Sequence, residues 1–76
     1  MTDVVIPTDL LEGLEGALSV WFVEDGDKVS EGDVLCELMV EKAAFEISAP
    51  AAGTIRLLVQ PETPVRGGTV IARVVV

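Results

Sequence analysis

Short apolar runs alternate with clusters of glycine, proline and acidic residues along the whole chain. The runs are Val4-Val5-Ile6, Ala17 to Val23, Val34 to Val40, Phe45-Glu46-Ile47, Thr54 to Val59 and Thr69 to Val76. The punctuation falls at Gly13 to Gly16, Asp25-Gly26-Asp27, Glu31-Gly32-Asp33, Pro50 to Gly53, Pro61 to Pro64 and Gly67-Gly68. Several short strands at this spacing predict a sandwich or barrel. No apolar set at helical spacing extends beyond about ten residues, so helices are poorly supported. Asp9 to Gly16 could make one helical turn, which its two glycines shorten.

The pattern occurs twice. Gly16-Ala17-Leu18-Ser19-Val20 matches Gly53-Thr54-Ile55-Arg56-Leu57, and Val29-Ser30-Glu31-Gly32-Asp33-Val34-Leu35 matches Val65-Arg66-Gly67-Gly68-Thr69-Val70-Ile71. Each copy reads as strand, turn, short strand, glycine turn, strand. Neither copy can bury its own apolar face, and packing one on the other buries both. An all-β fold follows: two small antiparallel sheets related by an approximate two-fold axis.

Within it, Val34 to Val40 reads as a strand with Val34, Cys36, Leu38 and Val40 on one face. Phe45 and Ile47 share a face, with Glu46 and Ser48 opposite. Glu41, Lys42, Ala43 and Ala44 are left to make the turn of a hairpin. They include no glycine or asparagine, so the expectation is a type I turn without positive φ. Such a turn sets Lys42 at the most exposed place the fold offers. A primary amine there can enter another enzyme's active site without unfolding. A lysine amine is protonated at neutral pH, so it must lose a proton inside a modifying enzyme before it attacks an activated acyl group. The amide that results removes the charge and lengthens the arm. The alternative is an ordinary solvated turn lysine. The chain has one other lysine, Lys28, expected in a loop with no such hairpin.

Composition narrows the function. The chain has 76 residues, a net charge of −8 and no histidine. One domain of this size, half apolar and rich in valine, suits strands and a thin core without a large ligand cavity. The negative charge opposes binding to nucleic acid and to anionic membranes, and favours basic surfaces on partner proteins. Without histidine, the commonest general base and metal ligand are missing. The single cysteine, Cys36, cannot form an internal disulfide and reads as a small core residue. Glu37, Glu41 and Glu46 read as a solvated acidic surface that doubles as a docking patch, in preference to a metal cluster. Gly67-Gly68 precedes no helix and is no phosphate loop. The N-terminus lacks the pattern of a signal peptide, and no run is long enough to cross a membrane as a helix.

Gly26, Val29, Leu35, Leu38, Lys42, Ala43, Ala44, Ile47, Gly53 and Ile55 sit at the spacings of the biotinyl/lipoyl carrier domains, which the chain resembles from Val4 to Val76. Trp21 with Gly26-Asp27, Gly32-Asp33-Val34-Leu35 and Glu46-Ile47-Ser48-Ala49-Pro50 look like its framework. The resemblance implies a flattened β-barrel of two four-stranded antiparallel sheets spanning residues 1–76. The modified lysine would lie at a hairpin in one sheet, and the termini would meet in the other. Biotin carriers usually place Met on both sides of the lysine. Here the neighbours are Glu41 and Ala43, and Met39 is out of register. Glu41-Lys42-Ala43 is similar to the Asp-Lys-Ala of lipoyl domains from 2-oxo acid dehydrogenase acyltransferases.

The resemblance therefore implies a non-catalytic carrier with lipoate joined by an amide to Lys42. Glu41 and Ala43 would be read by the modifying enzyme, a lipoate ligase or lipoyl transferase. The implied partners are a thiamine-diphosphate-dependent decarboxylase, an acyltransferase core and a dihydrolipoyl dehydrogenase. The domain would be monomeric and cytoplasmic, or located in the mitochondrial matrix of a eukaryote. A biotin carboxyl carrier and an unmodified protein-interaction domain are the alternatives. Two departures stand out: Glu41 replaces the usual Asp, and the stretch Asp9 to Gly16 has Leu11 where Gly is common and is one residue short. In lipoyl domains that loop lies beside the hairpin and helps the decarboxylase recognise the domain.

Overall fold

The computed structural model describes residues 1–11 and 15–76. Its elements are β1 (Thr2–Val5), α1 (Thr8–Leu11), β2 (Gly16–Trp21), β3 (Lys28–Val29), β4 (Val34–Val40), β5 (Ala43–Ser48), β6 (Gly53–Leu57), β7 (Thr63–Val65) and β8 (Val70–Val75). The strands form two four-stranded sheets, β1-β8-β6-β3 and β5-β4-β2-β7, with every pairing antiparallel. Under the sequence repeat, β2 corresponds to β6, β3 to β7 and β4 to β8, with β5 matching β1. The two sheet orders then superpose term by term, as an approximate two-fold requires.

The symmetry reaches individual hydrogen bonds. Phe22 N–H donates to Leu35 O at 2.8 Å, and Leu58 N–H to Ile71 O at 3.0 Å. Gly32 N–H donates to Ala49 O and Gly68 N–H to Ile6 O. Asp33 Oδ2 accepts from Ser30 N–H, and Thr69 Oγ1 takes the equivalent bond from Arg66 N–H. Gly32 and Gly68 both have positive φ, 91° and 87°, a conformation that glycine adopts without steric cost.

The core is aliphatic. Ile6, Leu18, Leu35, Leu38, Ile55, Ile71 and Val74 are fully buried, each contributed where a strand or its flanking turn faces the other sheet. Among the described residues no polar side chain is buried, so the interior needs no internal hydrogen-bond network. Gly53 lets β6 approach β8: a Cβ built there would lie 2.5 Å from the Val75 carbonyl oxygen. The termini meet in the β1-β8 sheet, where Thr2 pairs with Val74. Among the described residues, no helix is long and apolar enough to cross a membrane.

Several expectations are corrected. The strict alternation of Val34, Cys36, Leu38 and Val40 fails at its start. The β4–β5 register shifts between Val34 and Cys36, so Leu35 and Cys36 are both fully buried while Val34 is half-exposed. An extra residue at a bulge turns consecutive side chains to the same side. The same slip recurs in the other half, where Ile71 and Ala72 are both buried and the β1–β8 register shifts between Val4 and Val5. Lys28 lies in β3, paired with Thr54, and not in a loop. Ile6 closes the core from outside β1, held by its N–H bond to Thr69 O. The single helical turn starts at Thr8. Glu12, Gly13 and Leu14, part of the atypical loop, lie outside the described residues.

Candidate functional site

The hairpin that carries Lys42 is built from the core outward. Cys36 pairs with Ile47 and Leu38 with Phe45, which anchors both strands in the interior. Met39 pairs with Ala44 and Val40 with Ala43, so the register closes on a loop of two residues, Glu41-Lys42. The expected four-residue turn is thus too long: Ala43 and Ala44 belong to β5. The turn type is corrected as well. Glu41 has φ 55°, in the left-handed region, and Lys42 does not share it. Positive φ at the first central position excludes the type I turn, whose two central residues both have negative φ. The strand twist decides this against the local preference of glutamate, at a cost of about 1–2 kcal/mol for a non-glycine residue.

Glu41, Lys42 and Ala43 are all exposed. Among the described residues, the Lys42 ammonium has no carboxylate within salt-bridge distance; the ion pairs there join Arg56 to Asp25, Arg66 to Glu15 and Arg73 to Asp3. The amine is therefore displayed at the tip of a two-residue loop, exposed and with no carboxylate beside it among the described residues. An amide-forming enzyme needs such a group, and the residues present fit an acyl cofactor joined through Nζ.

The expected acidic surface is real in part. Glu37 lies directly opposite Glu46 in the β4–β5 ladder, and Glu41 stands at the tip. Like charges facing each other across a ladder oppose folding. Among the described residues, no group of three acidic, cysteine or histidine side chains is arranged to hold a metal. Cys36 is fully buried, and burial pushes its thiol up to about 11, far from the range of a reactive thiolate. Trp21 is half-buried and donates from Nε1 to the Val59 carbonyl at 2.8 Å, which ties β2 to the turn after β6. A cleft of about 340 Å³ opens between edge strands β1 and β5, lined by Val5, Pro7, Ile47 and Pro50 among others. Lys42 is not in it. The sequence reading did not single out Met39 and Ala44 as a pair beside the tip. Only the closed hairpin register reveals it.

Two four-stranded sheets related by a two-fold, with an exposed lysine at a two-residue hairpin tip, are the framework of a carrier domain. The family described as "Biotin-requiring enzyme", the biotin/lipoyl family, matches residues 8–74, and the chain belongs to it. It is a carrier domain of the lipoyl type.

The similar proteins agree. The chain is 38% identical over 68 residues to the dihydrolipoyllysine-residue acetyltransferase component of the pyruvate dehydrogenase complex of Staphylococcus aureus (strain Mu50 / ATCC 700699), covering 87% of this chain and 16% of that one. It is 45% identical over 47 residues to the component of the same name from Rhizobium meliloti (strain 1021), covering 62% and 10%. The chain thus spans a small fraction of these relatives' length. The solution structure of the lipoyl domain of the 2-oxoglutarate dehydrogenase complex from Azotobacter vinelandii superposes with a TM-score of 0.79. It covers 99% of this chain and 96% of that one at 20% identity, which shows the fold.

Proposed function

We propose that Lys42 is the attachment point of lipoate, joined through an amide at Nζ, and that the domain carries acyl groups between the active sites of a 2-oxo acid dehydrogenase complex. The observation that carries this is the two-residue loop closed by the Val40–Ala43 pair, with Lys42 exposed at its centre. When bound, the lipoyl group supplies a redox-active disulfide that takes up and releases an acyl group. Leu38, Phe45 and Ile47 hold the hairpin rigid, and Glu41 and Ala43 flank the amine as the features a lipoate ligase or lipoyl transferase reads. Tethering raises the concentration of the carried group at each active site to the millimolar range typical of short linkers, ~mM. The partners are a thiamine-diphosphate-dependent decarboxylase, an acyltransferase core and a dihydrolipoyl dehydrogenase, and the domain works in the cytoplasm or the mitochondrial matrix with them.

Intact mass tests the assignment. The domain is incubated with lipoate ligase, ATP and lipoate, and separately with biotin ligase, ATP and biotin. A lipoyl mass gain that disappears in Lys42→Arg is expected. A biotin gain, no gain, or a lipoyl gain that survives Lys42→Arg would overturn it.

A further inference from the structure

The two-fold makes each outer sheet face a control for the other. On the Lys42-bearing sheet, the row next to the tip crosses all four strands: Pro64 pairs with Ala17, Ala17 with Met39, and Met39 with Ala44. All four are apolar, and none is buried. Their strand neighbours Leu18, Leu38, Val40 and Val65 point inward, so this row faces out. The next outward row holds Val20, Glu37 and Glu46. On the opposite sheet, the equivalent positions are Lys28, Thr54, Val75 and, next in register on the β1 side, Met1, followed by Arg56, Arg73 and Asp3. Backbone, core and turns obey the symmetry, and the two faces depart from it at two of the four positions: Lys28 and Thr54 stand where Pro64 and Ala17 do, while Val75 and Met1 match Met39 and Ala44 in being apolar. The apolar row is continuous across all four strands only on the sheet that carries Lys42.

We infer that the Pro64–Ala17–Met39–Ala44 row is a seat for the neutral, apolar acyl arm attached to Lys42. The inference rests on the carrier assignment for what the arm is. Its occupant is set by reach. The Met39–Ala44 pair lies two residues below the tip, ~7 Å at the rise of a strand. The four methylenes of a lysine cover about that distance, and an acyl chain beyond them can fold back along the row. Met39 supplies a polarisable thioether that adapts to an irregular apolar partner. Ala17 and Ala44 are small enough to let a chain lie against the sheet. Glu37 and Glu46 bound the seat on its far side, since burying a carboxylate under an apolar chain is costly. The arm then alternates between a resting position on its own sheet and an extended one.

The test uses an arm that can be installed without any ligase. In a Lys42→Cys domain, an N-octyl maleimide labels only the tip, because Cys36 is buried. An N-methyl maleimide adduct is the short-arm control. Amide NMR spectra of the octyl adduct are expected to differ from the control at Ala17, Met39 and Ala44 and to match it at Thr54 and Val75. Nuclear Overhauser contacts should join the octyl chain to the Met39 methyl. A Met39→Glu substitution should abolish both effects. In wild type lipoylated on Lys42 and then reduced, the arm's thiols should be alkylated about fourfold more slowly than in Met39→Glu, the factor that goes with one buried methylene. Shifts confined to residues 41–43, or shifts and rates unchanged by Met39→Glu, would overturn the seat. Failure of wild type to take up lipoate at Lys42 would refute the carrier assignment while leaving the octyl result to stand or fall by itself.

Discussion

Replacing Leu35 by alanine tests the bulge in β4, because strict alternation and the observed register assign opposite roles to two adjacent residues. Leu35 is fully buried and belongs to the central core cluster. Removing its isobutyl group loses transfer energy and leaves a cavity, about 2–5 kcal/mol for a leucine at such a site. Val34 is half-exposed. Truncating it removes two methyl groups, each contributing ~0.8 kcal/mol when fully buried and about half that here, so Val34→Ala should cost roughly 1 kcal/mol. A domain of this size has a total stability of roughly 4–11 kcal/mol. The difference between the variants is therefore a large share of the total. Each kcal/mol lowers Tm by about 4–8 °C in a domain of this length, so Leu35→Ala should lose roughly 8–40 °C and Val34→Ala about 4–8 °C. Thermal unfolding followed by circular dichroism measures both. If Val34→Ala costs as much as Leu35→Ala, the register shift between Val34 and Cys36 is wrong and the plain period-two face is right.

Gly53→Ala should destabilise by about 1–3 kcal/mol in urea melts, because the new Cβ meets the Val75 carbonyl and must push β6 from β8; a neutral outcome would refute that close approach. Stability should fall as pH rises from about 9 to about 11. The Cys36 thiol, raised by burial from 9.0 to about 11, stays protonated in the folded state over that range while the unfolded state ionises. The chain has no tyrosine to confuse the titration, and melts of Cys36→Ala across this range should show a flatter profile. Trp21→Phe should cost ~1–2 kcal/mol by removing the bond to Val59 O and leaving that carbonyl without its donor. Equal urea midpoints for the variant and wild type would remove that role.

Much of the fold was legible because the chain states its pattern twice. The matched blocks around Gly16 and Gly53, and around Gly32 and Gly68, needed no three-dimensional information to imply two copies packed face to face. Lys42 was legible for a related reason: two strand patterns separated by a few residues must turn there, and a turn residue is exposed. What sequence could not decide is where alternation slips and which turn closes the hairpin. A bulge shows no local signature in Val34-Leu35-Cys36, since all three are apolar and any two can face inward. Only the need to pack Leu35 and its counterpart Ile71 between the sheets selects the pair. Glu41 has no intrinsic preference for positive φ; the twist of β4 and β5 imposes it. The apolar row beside the tip comes from four separate stretches of chain, and only strand register brings Pro64, Ala17, Met39 and Ala44 together. Local pattern determined the elements and the exposed lysine, and long-range pairing decided what surrounds it.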